Sequence, residues 1–128
     1  MRLLGIDYGS KRVGIALGDS EVGIAFPNSV LPSDDKLIDR ILEIVSKEKV
    51  QLVVLGESKD YNGNDNLIAG AIRKFKEEFE KVSSVPVVYE PEFMTSLEAS
   101  RIQGEGGMLD ASAASIILQS YMDKNKSK

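Results

Sequence analysis

Over the first thirty residues the apolar positions come in strand-like runs. Leu3, Leu4 and Ile6 form a continuous run that Asp7 ends at a turn. Val13, Ile15 and Leu17 then alternate with small residues, the period of a half-buried strand. After a turn at Gly18-Asp19-Ser20, a third run covers roughly Val22 to Val30. Connections this short predict an antiparallel meander. The period then lengthens. Pro32 and Ser33 introduce Leu37, Ile38, Ile41, Leu42 and Val45, one face of a helix whose positive N-terminus suits Asp34 and Asp35. "QLVVLG", closed by Gly56, reads as a short buried strand in a central, parallel position. Ile68, Ile72, Phe75, Phe79 and Val82 mark a second amphipathic helix. Its outer face mixes Arg73, Lys74 and Lys76 with Glu77, Glu78 and Glu80, a solvated face.

"VPVVYE" is another buried strand. Thr95 to Glu98 spells a capping box that predicts a short helix, broken by Gly104, Gly106 and Gly107. Asp110 begins the last helix, with Ala113, Ile116, Ile117 and Tyr121 as its core face. The order βββαβαβαα predicts an α/β protein, one mixed sheet with helices packed on its faces.

Composition narrows the chemistry. The 128 residues suit one domain, expected over 1–123, with Lys124, Lys126 and Lys128 in a frayed, solvated tail over 124–128. No cysteine is present, which excludes disulfides and thiolate metal sites. No histidine is present either, which excludes imidazole bases and Ser-His-Asp triads. Catalysis would have to run on carboxylates, Lys, Arg, hydroxyls or a metal held by oxygen. No signal peptide fits the N-terminus and no apolar run approaches the roughly 20 residues that span a bilayer, so a cytoplasmic protein without a membrane partner is expected. The net charge of −4, from 20 acidic and 16 basic residues, does not by itself favour nucleic acid. An acidic cluster neutralised by bound cations would remove that objection.

Three carboxylates stand where strands or helices begin or end. Alone, Asp7 is explained by an Asx-turn, Glu92 by a solvated loop past Pro91, and Asp110 by a helix N-cap. Together they fall at one place, because parallel strands present their C-terminal ends to a single crevice. Two carboxylates about 4 Å apart repel by roughly 1 kcal/mol in water and about 4 kcal/mol at an effective dielectric near 20. Three that converge take up protons or bind a cation, and without His or Cys the fitting cation is Mg²⁺ or Mn²⁺.

"GIDYGSKRVGIALGD" resembles the opening of the YqgF/RuvX-like family in the ribonuclease H-like (RuvC-like) superfamily. The likeness continues through "VVLGESKDYNGN", "EFMTSLEA" and "LDASAASIILQSYMD", in order along nearly the whole chain. It implies the ribonuclease H-like fold, a mixed five-stranded sheet in βββαβαβα order flanked by helices. By this resemblance Asp7, Glu92 and Asp110 match the family's acidic triad, and Thr95 matches the first threonine of its "DERLTT" motif. Here that motif reads "PEFMTS", with Pro91 in place of Asp and Phe93 in place of an Arg that would contact phosphate. Glu57 and Ser58 replace the family's Leu-Pro, and residues 103–109 carry no Lys or Arg.

The implied activity is phosphodiester hydrolysis by two divalent ions about 4 Å apart, with Asp7 shared between them and Glu92 and Asp110 completing their shells. Lys11 and Arg12 are candidates for positioning phosphate, and Thr95, Asn62 and Gly63 for contacting substrate. The job the family implies is trimming of precursor 16S ribosomal RNA, with Holliday-junction resolution as the alternative. A non-catalytic RNA- or protein-binding member is a third possibility. A fourth comes from "DYGSKRVGIA", which also looks like the phosphate loop of actin- and Hsp70-like proteins. The expected partner is nucleic acid, RNA ahead of branched DNA. The expected state is a monomer or weak homodimer, since the sequence offers no obvious apolar dimer patch.

Overall fold

The computed structural model describes residues 1–59, 68–93 and 108–125, with the backbone alone considered at 58–59, 92–93 and 108–110. Five strands form one sheet in the order β3-β2-β1-β4-β5. They are β1 (Arg2–Tyr8), β2 (Arg12–Asp19), β3 (Ile24–Pro32), β4 (Leu52–Lys59) and β5 (Val87–Phe93). The first three make the expected antiparallel meander, and β4 and β5 add to β1 in parallel. Three helices are described: α1 (Leu37–Glu48), α2 (Ala69–Val82) and α3 (Met108–Asn125). The expected helix from Thr95 and the glycine-rich stretch after it lie outside the described residues.

The sheet has a core on each face. Leu4, Ile6, Val13, Ile15, Leu17, Val53, Leu55 and Val87 pack against Leu37 and Ile41 of α1 and Ile72, Phe75 and Phe79 of α2. On the opposite face Leu3, Ala16, Leu52 and Val54 meet Ala114, Ile117, Leu118 and Met122 of α3. β2 is therefore buried on both sides rather than half-buried. Its small residues are small because α3 lies against them: a Cβ on Gly18 would come within 3.1 Å of both Leu118 and Met122.

Several element ends differ from the sequence-based expectation. Backbone pairing carries β1 through Tyr8, so Asp7 sits inside the strand, opposite Gly14. Pairing likewise carries β5 through Phe93, so Glu92 is a strand residue and not a loop residue. β5 is the edge of the sheet, half-covered, and there Pro91 is tolerated. β3 starts at Ile24, leaving Val22 in the turn. Helix α3 starts at Met108, which puts Asp110 within its first turn instead of at the cap. It also runs through Asn125, and Lys124 bonds Glu90.

The buried face of α3 is Ala111, Ala114, Leu118 and Met122, with Ala113 and Ile117 beside it. Ile116, expected in the core, is 65% exposed, and Tyr121 is half-buried. The close seat on Gly5 and Gly18 sets that rotation, which alanine-rich periodicity leaves undefined. Val82, at the last turn of α2, is also exposed. Val22, Ile24 and Phe26 stand exposed along the β2–β3 turn and the edge strand, an apolar strip that the sequence pattern does not single out.

Candidate active site

Asp7 is placed by strand alternation. Leu3 and Gly5 face α3 while Leu4, Ile6 and Tyr8 face α1 and α2, so the half-buried Asp7 belongs to the α3 side. Helix contacts tell how far α3 extends along that strand. Gly18, paired with Leu3, abuts Leu118 and Met122, and Gly5 abuts Ala114 and Leu118. One further strand step leads to Asp7, and one helical turn back from Ala114 leads to Asp110. Those steps are about 6.7 Å and about 5.4 Å, so the backbone positions of Asp7 and Asp110 advance together toward the same rim.

β5 reaches that rim from the other side. Ile6 pairs with Leu55 and Leu55 with Tyr89, so Asp7 and Glu90 each stand one residue beyond the last row the three strands share. Glu92, opposite Ser58, stands two residues further along, at the same parity as Glu90. The three expected positions thus lie at the C-terminal ends of β1 and β5 and in the first turn of α3. Among the described residues no group of three acidic side chains forms a complete metal site. Of the expected three, Asp7 is the one whose side chain is described.

The hairpin after Asp7 carries the candidate cations. Lys11 and Arg12 are exposed where the chain turns from β1 into β2. Gly9 makes that turn possible, because a Cβ there would lie 2.6 Å from the Arg12 carbonyl oxygen. The Lys11 carbonyl accepts from Ser33 N at 3.0 Å, which ties the hairpin to the end of β3. Asn62, Gly63 and Thr95 lie outside the described residues.

On the face opposite Asp7, Tyr8, Phe75 and Ala71 line a cavity of about 310 Å³ with Asp34, Asp35 and Glu78 at its acidic side. Asp34 Oδ1 accepts from Arg40 Nη1 at 2.7 Å and from Lys36 N at 3.0 Å, and these bonds hold its carboxyl below the usual range. Tyr89, at the outer face of β5, has its phenol raised, chiefly by burial, despite Lys76 lying 5.6 Å from its ring centre.

One charged residue escaped the sequence reading. Glu90 is buried at 3% exposure on the α3 side of β5, bonded to Ser120 and Lys124. The signal was present in "VPVVYE", where alternation places Glu90 opposite in facing to Tyr89 and in line with Val88.

Among solved structures, the chain resembles Thermus thermophilus RuvC in complex with a Holliday junction substrate, at TM-score 0.62 and 15% identity over 100% of this chain and 99% of that one. It also resembles the fowlpox virus Holliday junction resolvase, at TM-score 0.57 and 17% identity over 97% and 99% of the two chains. Identities this low speak for the fold alone, and that fold is the RuvC-like, ribonuclease H-like α/β class.

Sequence similarity is more particular. The profile of the RuvX family, described as Holliday junction resolvase, matches residues 1–124. A protein of Caldanaerobacter subterraneus subsp. tengcongensis is 36% identical over 137 residues, spanning 98% of this chain and 99% of its own. One of Rickettsia akari is 37% identical over 134 residues, spanning 97% and 87%. Both are provisionally named pre-16S rRNA nucleases. The chain belongs to the RuvX family.

Proposed function

We propose that this chain is a metal-dependent endonuclease of the cytoplasm that processes the precursor of 16S ribosomal RNA. What supports the proposal is that Asp7 and Glu92 lie at the C-terminal ends of β1 and β5 and Asp110 in the first turn of α3, in a chain of this family. An all-oxygen donor set of two aspartates and a glutamate fits Mg²⁺ or Mn²⁺, and the absence of His and Cys leaves no softer ligand to compete. Asp7, Glu92 and Asp110 would hold the ions. When bound, these ions supply Lewis-acid chemistry and charge neutralisation at the scissile phosphate. Asp7, drawn from the rigid β1, sets the fixed side of the site, while Lys11 and Arg12 on the adjoining hairpin attract and orient the RNA backbone.

Holliday-junction cleavage is the second reading, favoured by the description of the family profile itself. Both readings are separated by presenting the chain with precursor 16S RNA, a four-way DNA junction and single strands, each in Mg²⁺, Mn²⁺ or EDTA. Cutting of the RNA alone, abolished by EDTA, is the expected result. Asp7→Asn should slow it by about a thousandfold, the worth of several kcal/mol of charge stabilisation. Cleavage that survives Asp7→Asn would sink the ligand assignment, and cutting confined to the junction would replace the substrate.

A further inference from the structure

Glu90 is a buried charge that the proposed chemistry leaves unused. Its side chain is 4% exposed, and its Oε2 accepts from Ser120 Oγ at 2.8 Å and from Lys124 Nζ at 2.6 Å. Those donors lie one turn apart on α3, so β5 grips the helix from one flank. Gln119 provides a grip on the other flank. Its Oε1 accepts from Ala25 N at 2.9 Å, and its Nε2 donates to the Gly23 carbonyl at 2.9 Å. Between the grips α3 rests on Gly5, where a Cβ would be 2.8 Å from Leu118 Cβ.

At its seat on Gly5, Ala16 and Gly18 the helix meets little side-chain relief to stop it swinging across the sheet. Holding both flanks prevents that swing. Position 110 lies about 12 Å along the helix from Leu118, so a swing of about 5° would move it by about 1 Å. Displacements of that size cost about a hundredfold in rate when they reach a reacting centre. We propose that Glu90, Ser120 and Lys124 form a positioning lock that sets the spacing between the end of β5, with Glu92, and the start of α3, with Asp110. The inference rests on the metal-site reading above. An ionic lock suits this task because the buried Glu90 carboxylate needs its donors in one geometry, while Lys124, 58% exposed, keeps the rest of its ammonium in water.

That property also supplies the test. Glu90→Leu combined with Lys124→Met fills the buried Glu90 site with an apolar side chain, removes both charges together and should leave the melting temperature within a few degrees of native. The same variant should lower kcat on precursor RNA roughly 10- to 100-fold at unchanged KM. Mn²⁺ binding without RNA, followed by the electron paramagnetic resonance of the free ion, should weaken by a comparable factor. Lys124→Arg, which preserves the charge, should stay close to native in both measurements. A folded double variant with native kcat and native Mn²⁺ affinity overturns the lock and leaves the metal site standing. If the double variant melts far below native, Lys124→Met is compared with Lys124→Arg, and equal kcat in the two overturns the lock. A native chain that neither binds Mn²⁺ nor cleaves overturns both.

Discussion

Gly5 shows how one missing side chain governs the distance between sheet and helix. A methyl group there would fall 2.8 Å from Leu118 Cβ and 2.9 Å from the Ala114 carbonyl oxygen, and the second of these is backbone that cannot rotate away. Gly5→Ala should therefore push α3 outward and destabilise the fold by about 1–3 kcal/mol, measurable by urea unfolding. Activity should fall further than stability, since Asp110 travels with the helix. Asp7, two residues on, is the converse case of a polar side chain at a position where alternation would place another core residue. It is half-buried in the strand, at the rim where α3 begins. The sequence identified Asp7 as unusual, and backbone pairing with Gly14 sets it within β1.

At the scale of elements, the two faces of the sheet are built differently. The α1 and α2 side relies on large side chains, with Phe79 fully buried and stacked on Phe75 at 6.0 Å between ring centres. Phe79→Ala should cost about 3–5 kcal/mol in equilibrium unfolding, by lost transfer energy and an unfilled cavity. The periodicity of α1 and α2 was legible because long apolar side chains recur there at helical spacing. The α3 side relies on close approach of small residues, Gly5, Ala16 and Gly18 against Ala114 and Leu118. Alanines carry little directional signal, which is why Ile116 was expected in the core and is exposed. β5 was misread at its end for a related reason. Pro91 looks like a strand stop, but an edge strand has one side on which no donor is needed.

For the molecule as a whole, the balance of charge matters more than any single pair. With a net charge of −4, nucleic acid must be met by a local cationic surface, and Lys11 and Arg12 stand at the rim that carries Asp7. Replacing both by Ala should weaken RNA binding evenly across sequences. It should also reduce the slope of log K against log salt by about 1–2, read from fluorescence anisotropy between about 50 and 200 mM salt. Cleavage chemistry, assayed at saturating RNA, should change much less. The acidic positions and the cationic hairpin lie at the same end of the sheet because β1 delivers both, Asp7 as it ends and Lys11 as the chain turns back.

The sequence by itself determined the order of the elements, the meander and the mixed sheet. Each of these is written in local spacing and needs no knowledge of distant neighbours. Tertiary structure decided which face of α3 is buried, that β2 is covered on both sides, and that Glu90 is a buried anchor bonded to Ser120 and Lys124. Those features depend on how closely a helix can approach glycines about a hundred residues away in the chain. Spacing along the chain does not encode that distance; packing across the sheet does.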